Sequence, residues 1–293
     1  MGEYGKRDRE KAGAQRWKIT AVICGFVAVA AAVVTVVLLT GFFGEERESE
    51  MKIEQLRVKL ESEEPSASPE PEQTEASNEP GTEQAEQPAR LPENPYAAAF
   101  RENGDMAAWI VVEGTVIDYP VMQTMEDENY YLNRDFYGNE DKAGCLILDT
   151  DSPVYDVEGS GNLIIHGHNM KTGTMFGELD AYKDEDYYQE HKHMQLYTRS
   201  EKREYEVLAV FYSQVYYSTD QVFKYYNFFK TEDETEFHDF YDNIKKMSLY
   251  DTGVEAQLGD QFLTLSTCAY HVEDGRFVVV AKETGREEKY EMP

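Results

Sequence analysis

Basic residues are scarce in this chain: 28 lysines and arginines stand against 57 aspartates and glutamates, for a formal net charge of -29. A surface that negative repels polyanions, which excludes nucleic acid as the principal partner. Cysteine is scarcer still. Three in 293 residues are too few for a disulfide scaffold. No HExxH or CxxC pattern occurs, and there is no internal repeat. The length allows one sizeable domain plus appendages.

What is present begins with a long apolar run. Ile19 to Phe43 carries no charge and is rich in Val, Ala, Leu and Ile. About 25 helical residues span a hydrocarbon core of about 30 Å. Lys6, Arg7, Arg9, Lys11, Arg16 and Lys18 precede it, and Glu45 and Glu46 follow. The basic flank predicts a single-pass membrane anchor over 19–43, a cytoplasmic segment over 1–18, and everything after Gly44 outside the cell. A cleaved signal peptide has a shorter apolar region, and this one ends in Phe42-Phe43, which favours an uncleaved anchor. Residues 44–94 shift to Glu, Pro, Ser, Gln and Thr, an acidic tether too poor in apolar surface to offset the entropy of ordering. Met51 to Leu60 within it has the makings of a short helix.

The folded domain is expected over 95–293. Strand-like runs follow one another at Trp109–Val112, Val116–Val121, Cys145–Asp149, Asn162–Ile165, Gln195–Thr198, Tyr205–Tyr212, Gln261–Ser266 and Phe277–Lys282. Short strands in this number suggest a mostly β, closed or nearly closed barrel. One helix interrupts them: Thr231 to Glu234 reads as a capping box, and Phe237, Phe240, Tyr241, Ile244 and Met247 recur at helical spacing as a packing stripe.

Three places carry chemistry. Leu263-Thr264-Leu265-Ser266-Thr267-Cys268 alternates as a strand and puts a thiol at its end, where rigid backbone can fix an exposed nucleophile. Inert packing is the alternative for a strand cysteine, and it is the role expected of Cys145. Asn162 to Met170 is a second strand ending in a glycine turn that presents His168, suited to acid–base work. His166 and His168 also suggest a metal pair, but a third ligand is missing. Gly275-Arg276-Phe277 opens a third strand, and an antiparallel return would bring Arg276 back to the level of Cys268, to stabilise a thiolate or an oxyanion. A surface arginine is the plain alternative. His271, three residues past Cys268, would face away from the thiol if the chain stayed extended.

Together these motifs resemble the sortases, which carry a TLxTC strand, an earlier histidine in a GH turn and an arginine opening the strand after the cysteine. The matching residues are Thr264 to Cys268, Gly167-His168-Asn169-Met170 and Arg276-Phe277-Val278-Val279. Class B is matched by Trp109-Ile110, Gly114 to Val121, Tyr130-Tyr131-Leu132 and Arg134-Asp135-Phe136, and by the helix near 231–247. The order His, Cys, Arg differs from papain-like proteases, where Cys precedes His. The resemblance covers about the last 200 residues. It implies a closed eight-stranded sortase-type barrel with an N-terminal helix and a helical insertion before the cysteine strand, on the outer face of a Gram-positive cell.

The resemblance also implies a cysteine transpeptidase that cleaves a C-terminal sorting signal of an Asn-Pro-x-Thr-like kind on secreted proteins. Cys268 would form the thioester, His168 shuttle the proton and Arg276 hold the carbonyl, with a cell-wall precursor amine as acceptor and no cofactor or metal. The rivals are a membrane-tethered cysteine endopeptidase and a non-catalytic extracellular binding or stalk domain.

Overall fold

The computed structural model describes residues 31–35, 47–59, 91–152, 154, 161–230 and 233–290. The chain divides into two compact units, Met1–Glu48 and Ser49–Pro293. Most of the expected anchor over 19–43 lies outside the described residues; 31–35 are helical. Among the described residues, no helix is long and apolar enough to cross a membrane.

The second unit is a closed barrel. Its strands are β1 (Met106–Val111), β2 (Asp118–Met122), β3 (Leu146–Leu148), β4 (Asn162–Gly167), β5 (His193–Tyr197), β6 (Glu201–Gln214), β7 (Phe262–Cys268) and β8 (Gly275–Lys289). They close in the order β1-β2-β3-β4-β7-β8-β6-β5, with β5 pairing back onto β1. Only β2–β3 and β4–β7 are parallel pairs among them. Every expected strand is found. Two are much longer than expected, since β6 and β8 continue to the pair Glu201↔Lys289.

Alternation sorts each strand's side chains between two apolar layers. Leu163 and Ile165 of β4, Leu263 and Leu265 of β7, and Phe277, Val279 and Ala281 of β8 fill the barrel interior. Phe262, Val278 and Val280 point outward and are covered by α4 (Glu234–Met247). The buried stripe of α4 is Phe237, Phe240 and Ile244, and Phe240 stacks on Phe228 with ring centroids 4.1 Å apart. Burying each of these side chains is worth about 2 kcal/mol. The helix start differs from the expected capping box. Asp233 is the N-cap, its carboxylate accepting from the Glu236 N–H at 2.8 Å, so the cap lies two residues beyond Thr231. Asp233 and Glu236 repeat the Asx-x-x-Glu spacing of a capped start.

Three further helices flank the barrel: α1 over 47–59, α2 (Ala97–Glu102) and α3 (Glu185–Glu190). The expected helix in the acidic segment is α1, and from Ser49 on it belongs to the barrel unit. It packs rather than hanging free. Leu56 is 2% exposed among Phe100, Trp109, Met122 and Phe136. Lys52 reaches Asp135 at 3.3 Å and Asp141 at 3.4 Å, Arg57 pairs with Asp118, and Lys59 pairs with Glu102 of α2. The rest of the expected tether, 60–90, lies outside the described residues.

Candidate active site

The parallel pairing of β4 with β7 sets His166 against Ser266 and Gly167 against Thr267, so His168, one residue on, comes level with Cys268. On the other side of β7, the antiparallel ladder pairs Cys268 with Arg276 directly. Imidazole, thiol and guanidinium therefore sit at one end of three adjacent strands, β4, β7 and β8. Their parity is that of Phe262, Val278 and Val280, which places them on the outer face of the wall.

All three line one open cleft of about 320 Å³. Its floor is β3, β4 and β7. One side is the connection from β2 to β3, with Glu128, Asn129 and Leu132; the other is the stretch after β6, with Val215, Tyr225 and Tyr226. Cys268 is half-buried there, whereas Cys145 is 1% exposed and burial drives its thiol pKa far upward. Those environments are what separate a reactive thiol from a packing one.

Each polar residue of the cysteine strand has a structural task. Thr264 Oγ1 donates to Asn162 Oδ1 at 2.8 Å, and Thr267 Oγ1 donates to the Gly167 carbonyl at 2.8 Å, tying β7 to β4 beyond the backbone ladder. The Ser266 hydroxyl shares a 2.7 Å hydrogen bond with the Tyr225 phenol, both buried. Burial pushes that phenol up to about 12, the Ser266 bond opposing, so it stays protonated. Asn169 Nδ2 donates to the Cys268 carbonyl at 2.8 Å, joining the histidine turn to the cysteine.

Close packing requires a glycine immediately before His168 and another immediately before Arg276. A Cβ on Gly167 would stand 2.4 Å from Leu146 Cδ2 and 2.7 Å from the Phe176 ring. One on Gly275 would stand 2.2 Å from the Ala269 carbonyl oxygen, where the chain doubles back to deliver Arg276.

The histidine is oriented from below. His168 Nε2 lies 2.8 Å from the Leu132 carbonyl, which only accepts, so Nε2 carries the proton and Nδ1 of the neutral ring is the basic nitrogen. Arg276 Nη1 donates to the carbonyls of Asp274 at 3.2 Å and Gly275 at 3.0 Å; Nε and Nη2 make no hydrogen bond among the described residues. His271 does not line the cleft. Its segment is a turn, not the extended strand that the parity argument assumed, and its ring lies against Tyr212 with centroids 4.7 Å apart. His166 turns to Asp149, its Nε2 3.5 Å from Oδ2, rather than pairing with His168 about an ion.

Leu132, Tyr225, Asp149 and Glu128 were not singled out as site residues by sequence reasoning. Only Leu132 had a signal, as part of the Tyr130-Tyr131-Leu132 match; the others come from distant segments that the fold brings in.

A closed eight-stranded barrel with a thiol, an imidazole and a guanidinium on neighbouring strand ends is the framework of a cysteine acyltransferase. The model of the sortase domain matches residues 110–284. Sortase B of Listeria monocytogenes is 33% identical over 182 residues, covering 61% of this chain and 70% of that protein. Sortase B of Staphylococcus aureus is 30% identical over 184 residues with the same coverage. The crystal structure of sortase B from Bacillus anthracis in complex with AAEK1 superposes with a TM-score of 0.62 at 28% identity, covering 83% of this chain and all of that one. The chain belongs to the sortase family and is a cysteine transpeptidase.

Proposed function

We propose that Cys268, His168 and Arg276 carry the transpeptidation, and that the substrate is a C-terminal sorting signal of an Asn-Pro-x-Thr-like kind. The observation that carries this is the register: Cys268 pairs with Arg276 on one side and comes level with His168 on the other, in one cleft. Cys268 Sγ attacks the carbonyl after the threonine. Negative charge develops on that oxygen beside the uncommitted Nε and Nη2 of Arg276, and one well-placed donor of this kind is worth about 3–4 kcal/mol. His168 Nδ1 takes the thiol proton as the S–C bond forms, and the C–N bond breaks as His168 passes that proton to the leaving amine, which leaves a thioester on Cys268. A cell-wall amine then attacks as His168 takes its proton, the C–S bond breaks, and the proton passes to sulfur to restore the thiol. Cys268 being half-exposed in a cleft, and not packed, speaks against the stalk reading.

The segment 19–43 holds the enzyme in the membrane with its N-terminus in the cytoplasm, and the barrel works outside, at the wall of a Gram-positive-type cell. The charge asymmetry about the apolar run supports this orientation.

The test is a panel of sorting-signal peptides incubated with the protein, with and without an added amine, and read by intact mass. A thioester on Cys268 and an amine-dependent product are expected. A thioester with hydrolysis and no amine-dependent product would turn the reading into that of an endopeptidase, and cleavage with no thioester would remove Cys268 from the reaction.

A further inference from the structure

Among the described residues, two that are not glycine hold a positive φ: Asp274 at 51° and Met175 at 53°. Aspartate tolerates the left-handed region. A bulky methionine does not, and strain of that kind gathers at functional sites. Met175 is buried, and it stands on the segment that follows His168.

That segment is a closed hairpin. Asn169 and Met175 face each other in an antiparallel bridge. The Gly173 N–H donates to the Met170 carbonyl at 2.9 Å, and the Phe176 N–H returns to the His168 carbonyl at 3.0 Å. The near leg is tied to the thiol strand, because Asn169 Nδ2 holds the Cys268 carbonyl. The far leg ends in the left-handed Met175, immediately before the N–H that reaches back to His168.

One side chain holds Met175 by its backbone. The Tyr119 hydroxyl oxygen accepts the buried Met175 N–H at 3.3 Å. Tyr119 is a buried residue of β2, paired across the ladder with Ile110, and the Arg57 guanidinium of α1 lies 5.5 Å from its ring centroid. It does not line the cleft that holds Cys268, so it is not placed to touch the reacting atoms. An N–H buried without an acceptor is costly. With the phenol oxygen gone, a change of backbone conformation at Met175 relieves the strain and lets that N–H seek another acceptor, and the hairpin relaxes.

We infer that Tyr119 is a positioning residue for the reaction: its hydroxyl holds Met175 in the left-handed conformation that closes the hairpin, and the closed hairpin holds His168 level with Cys268. This rests on the reading in which His168 moves the proton. Asn169 secures the near leg against β7 and Tyr119 the far leg against β2, so the imidazole is clamped from two strands. Tyr119 itself exchanges no proton and forms no bond with the substrate.

The experiment uses the full chain in detergent micelles and a sorting-signal peptide. His168→Ala comes first, and normal cleavage by it would remove the underlying reading. With His168→Ala inactive, Tyr119→Phe tests the inference itself, since the ring keeps its seat and only the oxygen is lost. Its kcat should fall about 10-fold, part of the roughly 100-fold that an ångström of misplacement costs, while KM stays within about twofold. Nitrogen-15 spectra of labelled histidines report the ring directly, with His168 assigned by its disappearance in His168→Ala. The parent should show the single Nε2–H tautomer set by the Leu132 carbonyl, and Tyr119→Phe a mixture. Ile244→Val on α4 is the control: it trims a buried side chain in the outer layer, lowers Tm, and should leave both kcat and the ring signal as they were. An unchanged kcat in Tyr119→Phe, an effect on KM alone, a lost rate with an unchanged ring signal, the same losses in the control, or failure of Tyr119→Phe to fold would each overturn the inference.

Discussion

Replacing Thr267 by valine deletes one hydroxyl and keeps the side chain's shape. That hydroxyl donates at 2.8 Å to the Gly167 carbonyl, with Thr267 only 2% exposed. Removing it takes away a buried hydrogen bond and leaves an acceptor short of a partner, which costs about 2 kcal/mol. For a domain of this size such a loss lowers Tm by about 4–8 °C. The functional cost is separate. Gly167 precedes His168 and Thr267 precedes Cys268, so the bond also registers the imidazole against the thiol. A displacement approaching 1 Å between reacting groups can cost about 100-fold in rate. Thermal unfolding and peptide cleavage, measured well below the variant's Tm, separate the two effects. Thr267→Ser keeps the hydroxyl and should keep most of both. A valine variant as stable as the parent, or a serine variant worse than the valine one, would refute the reasoning and make the methyl group the part that matters.

Cys268→Ala should abolish cleavage with folding intact, whereas Cys145→Ala should stay active and lose about 1 kcal/mol of stability; paired activity and denaturation curves check both. His168→Ala should remove most activity and His271→Ala little, since only the former lines the cleft; the opposite ranking in cleavage assays would reassign the base. Arg276→Lys should lose turnover while Cys268 alkylation stays fast, because an ammonium replaces a braced planar donor with a mobile point charge; near-normal turnover would make Arg276 an electrostatic bystander. Tyr131 and Tyr225 have phenols pushed up to about 12 by burial, against about 10 in the unfolded chain. Below about pH 10 their contribution is complete; from there to about pH 12 the unfolded chain sheds protons that the native one retains, so stability falls. Denaturation midpoints that stay level across this range would contradict the burial argument.

The strands were legible because half-buried β-segments alternate, and the eight runs did so clearly. The far halves of β6 and β8 were not, since residues such as Glu201, Lys202 and Arg286 put charge where an apolar alternation would have marked a strand. α4 was readable from its aromatic stripe; its cap was misplaced because Thr231 and Asp233 both offer capping oxygens. Cys268, His168 and Arg276 were legible through their motifs, and their juxtaposition follows from strand pairing. Which face they occupy was not, because parity is relative until one layer is known to be the interior. His166 and Asp149 form a pair only once β3 and β4 are adjacent, which no local pattern announces.

The docking of α1 changes what the acidic stretch after it can be. Lys59 meets Glu102 of α2, and Asn94 is buried with its amide on the Thr198 carbonyl at 2.6 Å, so both ends of the intervening chain are fixed to one folded body. Such a segment closes a loop, and the entropy of closure grows only slowly with loop length. Insertions and deletions there should be tolerated with little effect on stability. A single proteolytic nick within it would sever the covalent path and still leave α1 seated by Leu56 and by Lys52 between two aspartates. The nicked enzyme would then behave as a two-fragment complex, separable by denaturant and not by cleavage alone.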